Sequence, residues 1–174
     1  MHDPELQLLT GTTTAGVDAE LVLVEVDSLA AATAALLELT TGRGDFGLLL
    51  VCDARLESVE DISALSRASL LAGMHWFSSW GPDCERVHDI VDADIVGFVI
   101  EGEDRAAAVG QPAPACDLVM TTWHDDEPLS EAVEFFWTCA VPAGEQHDSG
   151  LRVLVTVAMP EVTSEILVAV ADLS

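Results

Sequence analysis

Five apolar runs, separated by stretches of helical character, constrain this chain more than any other feature. LVLVEV (21–26), FGLLLVCDA (46–54), MHWFSSW (74–80), CDLVMTTW (116–123) and LRVLVTVA (151–158) show little alternation of polar and apolar residues. A strand of that kind is buried on both faces, as the strands of a parallel sheet are. The intervening stretches carry helix punctuation. Asp27 and Ser28 can cap LAAATAALLELTT, which stops at Gly42, where glycine tolerates the left-handed conformation that closes a helix. Ser58 and Asp61 stand in a spacing close to a capping box ahead of ISALSRASLLAG, and Gly73 ends that helix.

Gly81 and Pro82 open a third helix, with Pro82 at the first turn, where its missing N–H costs nothing, and the helix runs to about Val91. Beyond it, IVGFVI (95–100) reads as a short extra strand, and the two prolines and two glycines of 101–115 read as a loop or insertion. PLSEAVEFFWTCA (128–140) is helical, with Leu129, Ala132, Val133, Phe136 and Ala140 on one face. EVTSEILVAVADL closes the chain as a strand or a helix; its short apolar run fits both.

This order predicts an α/β three-layer sandwich built on a mostly parallel, Rossmann-like or flavodoxin-like sheet of about five strands. Residues 21–174 form one domain in this reading, and residues 1–20, with GTTTAG at their centre, form a weakly ordered arm. In such sheets the ligand crevice lies at the carboxyl ends of the strands. CDARLES, SSWGPDC and TTWHDDE all fall there.

The charge is extreme: 31 acidic residues face six arginines and no lysine, for a formal net charge of −25. Nucleic acid and anionic membrane are poor partners for that surface, whereas a basic protein or a cation suits it. Salt adaptation, or a bias in genome composition, would leave the same signature. The acidic stretches VEDIS, ERVHDIVDAD, VIEGEDR and PAGEQHD are equally ordinary as solvated faces. The N-terminus lacks the basic start and apolar core of a signal peptide, and the expected location is the cytoplasm. Cys52, Cys84, Cys116 and Cys139 are scattered and form no CxxC pair, so reduced thiols are expected.

Two junctions carry the candidate chemistry. Cys84 falls at the start of the third helix, where free N–H groups and the dipole favour a thiolate, and His88 follows four residues later on the same helical face. A nucleophilic thiol with a histidine base, oriented by a carboxylate such as Asp89, Asp125 or Asp126, is one possible site. Val87 and Val91 share that face, so Cys84 is equally well placed to pack. His124 and Asp126 are candidate ligands for a divalent metal, although consecutive residues cannot all aim at one ion. The plainer reading makes Asp125, Asp126 and Glu127 caps of the helix that follows. Trp80 and Trp123 end their strands, where an indole closes the top of a core more often than it carries a substrate.

Several well-known sites are missing. Without lysine neither a phosphate-cradling P-loop nor a receiver-domain site can be built, and no GxGxxG, GxSxG or HExxH occurs. No cofactor is expected.

WGPDC, followed by HDIVD, and VMTTWHDDEPLSEAVEFF resemble the signature segments of a family of small bacterial proteins classed as a domain of unknown function. The family pattern has Trp-Gly-x-x-Cys after a strand and Met-Thr-Thr-Trp-His-x-Asp-Glu-Pro-Leu entering an amphipathic helix. Met120 to Leu129 agree with the second segment throughout, apart from its free position, and the likeness covers about residues 74–140. It supplies no catalytic role. It implies that Trp80, Gly81, Cys84, Trp123, His124, Asp126 and Glu127 belong to one shared feature.

The expected function is that of a non-enzymatic acidic domain that binds another protein, as an inhibitor or immunity-like partner of a basic one would. The alternative is a hydrolase or transferase working through Cys84 and His88, or through a metal near His124 and Asp126. A salt-adapted subunit of a larger assembly is a third reading.

Overall fold

The computed structural model of the chain describes residues 5–12, 18–108, 119–140 and 150–173. Their six strands are β1 (Glu5–Thr12), β2 (Asp18–Val26), β3 (Phe46–Cys52), β4 (Met74–Trp80), β5 (Met120–His124) and β6 (Leu151–Val157). The helices are α1 (Leu29–Thr40), α2 (Val59–Leu71), α3 (Cys84–Ala108), α4 (Leu129–Cys139) and α5 (Thr163–Asp172). The sheet order is β1-β2-β6-β3-β4-β5, with β1 antiparallel to β2 and every other pairing parallel. The expected mostly parallel, three-layer α/β sandwich is what forms.

The apolar runs became strands because both of their faces are covered. Every residue of β3 and β6 is buried. On one face α1, α2 and α3 pack Leu36, Leu65 and Val87 against Leu48, Leu50 and Val153. On the other, α4 and α5 pack Val133, Phe136 and Ile166 against Leu49, Val51 and Leu154. The helix signals act as read: Ser28 accepts from the Ala31 N–H, Ser58 from the Asp61 N–H, and Gly42 and Gly73 adopt φ of 75° and 98° just past their helices.

Three expectations are corrected. Residues 5–12 of the supposed arm form an edge strand, because ELQLLTGT finds eight antiparallel partners along β2. The third helix does not stop near Val91 but reaches Ala108, taking in both the supposed extra strand at 95–100 and the first part of the supposed insertion at 101–115. Its core contacts, Cys84, Val87, Val91, Ile95 and Phe98, keep helical spacing throughout. Two latches from α2 hold the extension: Ser63 donates to Asp94 at 2.8 Å, and Arg67 pairs with Glu101 at 2.8 Å. Pro82 precedes α3 rather than sitting within its first turn, since the helix begins at Cys84. The closing element, left open by its sequence, is a short 3-10 turn (Pro160–Val162) followed by α5. The rest of 101–115 lies outside the described residues, as does Cys116.

One irregularity sets which way the junction residues point. In the pairing of β3 with β4, Phe46 faces Met74 but Gly47 faces Trp76, so His75 is an extra residue that inverts the phase of β4. Met74 and Phe77 accordingly join the core under α1–α3, while Trp76 joins the core under α4 and α5.

Candidate functional site

The two junctions are neighbours at the carboxyl end of the sheet. Trp80 and His124 pair across the end of β4 and β5. The helices that leave these two strands diverge, α3 to one face and α4 to the other. That divergence is a topological switch point, the place where an open α/β sheet leaves a crevice.

The β4 junction is tightly built. Gly81 has φ +118°, and a Cβ there would lie 2.3 Å from the Cys52 carbonyl oxygen, so the turn needs glycine to pass over the end of β3. Asp83 also lies in the left-handed region, at φ 64°. Arg86 donates to the carbonyls of Ala54 and Glu57 and pairs with Asp83 at 2.8 Å. Two chain segments, the turn after β3 and the start of α3, are thereby tied at one guanidinium. This role of Arg86 has no local signal in the chain and emerges only when the turn after β3 and the start of α3 meet.

Cys84 is the first residue of α3 and is buried. Its thiol is pushed up, not down: burial dominates, Asp125 adds to it, and the backbone N–H groups of His124, Cys84 and Gly81 only partly offset it. The expectation of a thiolate at the helix start is therefore reversed, because desolvation outweighs the dipole. The Cys84 carbonyl accepts from Ser79 Oγ at 3.0 Å. Cys52, close by, is pushed up to about 12, chiefly by burial.

His88 does not serve Cys84. Its Nε2 meets Thr121 Oγ1 at 3.1 Å, its Nδ1 lies 3.4 Å from Asp89, and its ring sits 4.5 Å, centroid to centroid, from that of Trp123. Thr121 in turn donates to Asp92 at 2.7 Å. This cluster fastens α3 to the edge strand β5.

His124 belongs to a different cluster on the other face of the sheet. Trp76 Nε1 donates to Ser78 Oγ at 3.0 Å, Ser78 shares a 2.8 Å bond with Thr122, and Thr122 lies 3.2 Å from His124 Nε2. The opposite nitrogen of His124 meets Glu127 at 3.0 Å, and its ring stands 5.0 Å from that of Phe135. Trp80 Nε1 donates to the Glu127 carbonyl at 2.9 Å, completing a polar chain from the buried strand to the entrance of α4.

The candidates therefore divide. Cys84, His88 and Asp89 lie with α3 on one face, while His124 and Glu127 lie with α4 on the other; Cys84 meets the second junction through the main chain of His124. Asp126 is exposed and not joined to His124, and no cluster of three metal-ligating side chains occurs among the described residues. The acids before α4 do not cap it by side-chain bonds either: Pro128 is the N-cap and makes none. Trp80 is half-buried against the core beneath α4, but Trp123 is no lid, since 43% of it is exposed on the edge strand. Sequence reasoning missed Ser78, Asp92, Thr121 and Thr122. A signal was present: consecutive strand residues point to opposite faces, so TTWH had to send Thr121 and Trp123 one way and Thr122 and His124 the other.

A family model described as a domain of unknown function (DUF7684) matches residues 24–173. The chain belongs to this family. Both junctions, and all of the sheet except β1 and most of β2, fall inside the DUF7684 match. Comparison with curated proteins and with solved structures returns no match.

Proposed function

We propose that this DUF7684 chain is a non-enzymatic, cytoplasmic protein-binding domain whose acidic surface engages a basic protein, as an inhibitor or immunity-like partner does. The observation that carries this reading is the surplus of surface acid. Arg43, Arg55, Arg67 and Arg86 are each already held in an ion pair, with Glu20, Asp53, Glu101 and Asp83 respectively. The net charge of −25 therefore has little basic surface to interrupt it. A field of that sign steers basic partners in and repels phosphate backbones.

The geometry of the junctions supports binding over catalysis. Cys84 is a buried thiol with a raised pKa, and His88 is bonded to Thr121 rather than poised to take its proton. No helix among the described residues is long and apolar enough to cross a membrane.

Affinity capture of the whole chain from a native lysate at moderate salt, followed by native mass measurement, tests the proposal. The expected result is a stoichiometric complex with a protein of high isoelectric point. Recovery of the chain alone, or with an acidic partner, would overturn it.

A further inference from the structure

The geometry points to the free edge of β5 as the docking surface, and to an extended basic segment of the partner as its occupant. This rests on the acidic-binding reading above and gives it a location.

Strand β5 ends the sheet order and, among the described residues, is paired with β4 alone. An unpaired edge presents main-chain donors and acceptors in a row, and an added strand satisfies them. Edges are commonly protected by lysine, proline or an inward charge. MTTWH carries none of these and instead exposes Met120 and Trp123, at 38% and 43%. The strand has two sides, and Trp123 lies on the α3 side against His88. A large amphipathic indole held in place by its neighbours is the kind of anchor that dominates interfaces.

The surroundings select the charge of the occupant. Asp89 and Asp92 flank the His88–Trp123 pair, and Asp125, Asp126 and Glu127 follow the strand directly, all of them exposed or half-exposed. No arginine lies on β5 or α4. A strand laid along this edge would send alternate side chains to the α3 side, where Trp123 stands with Asp89 and Asp92 and which suits arginine or lysine, while the residues between them fall on the side of Met120. The same charge opposes pairing of β5 with β5 of a second copy.

The test uses the full chain and two synthetic peptides of equal positive charge, one alternating arginine with valine and one of lysine and alanine that favours helix. Hydrogen exchange should show protection of 120–124 by the first peptide. Met120→Lys should weaken its binding roughly tenfold, a loss of about 1.4 kcal/mol, whereas Val168→Lys, the same charge added to exposed Val168 on α5, should change it little. Met120→Leu should bind as the parent does, which separates loss of docking from loss of folding. Equal weakening by both lysine variants, protection elsewhere, or equal binding of both peptides would overturn the edge site and leave acidic binding standing. Protection of β5 without peptide, accompanied by a dimer mass, would assign the edge to a second copy and overturn the proposal. Failure of both peptides to bind would overturn both readings.

Discussion

Trp80 donates from its indole Nε1 to the main-chain carbonyl of Glu127 at 2.9 Å, fastening the end of β4 to the entrance of α4. The bond joins the two tryptophan junctions, which serve as two halves of one clasp. Trp80→Phe keeps the ring and removes the donor, and the Glu127 carbonyl is near solvent, so the expected loss is about 1 kcal/mol. Urea unfolding of the two proteins measures it.

Gly81 and Gly42 both have positive φ, at +118° and +75°, but differ in what a methyl group would meet. At Gly42 nothing lies within 4 Å, so alanine there should cost only the left-handed backbone penalty, about 1–2 kcal/mol. At Gly81 the Cβ meets the Cys52 carbonyl carbon and oxygen, which cannot swing aside, and the loss should be about 3 kcal/mol or more. Paired denaturation curves for Gly42→Ala and Gly81→Ala give the comparison.

Much of this was legible in the chain, and for identifiable reasons. The strands and the first two helices were readable because both faces of the sheet are covered and because Ser28, Ser58, Gly42 and Gly73 punctuate locally. The length of α3 was obscured by Gly97 and Gly102, although Val91, Ile95 and Phe98 continue its spacing. The partition of His88 from His124 follows from alternation along TTWH. The matching phase of β4 depends on the extra residue at His75, which only the register with β3 discloses. Strand β1 was missed because its residues take shape from their pairing with β2.

The thiols give the chain a distinctive alkaline limit. Cys52 is raised from 9.0 to about 12, first by burial and then by Glu57 and Asp53. The folded pKa lies above the unfolded one, so this contribution is complete below about pH 9 and is lost as pH rises toward about 12. With no tyrosine and no lysine in the chain, the cysteines are the side chains that titrate in that window. Stability should fall by roughly 1 kcal/mol per pH unit there, with Cys84 adding in the same sense. Urea midpoints across the window test this, and Cys52→Ala should flatten the slope.

Iodoacetamide at mildly acid pH should label Cys84 more slowly than a free model thiol, since the side chain is buried and its pKa is raised. Peptide mapping by mass spectrometry gives the rate at that residue. Labelling faster than the model thiol would restore the nucleophile reading.

Binding of a basic protein by the surface acid is tested by the affinity for the captured partner across a salt series. Attraction between exposed charges is screened at high ionic strength. The expected dissociation constant rises at least roughly tenfold between low and physiological salt and keeps rising above it. An affinity indifferent to salt would contradict it.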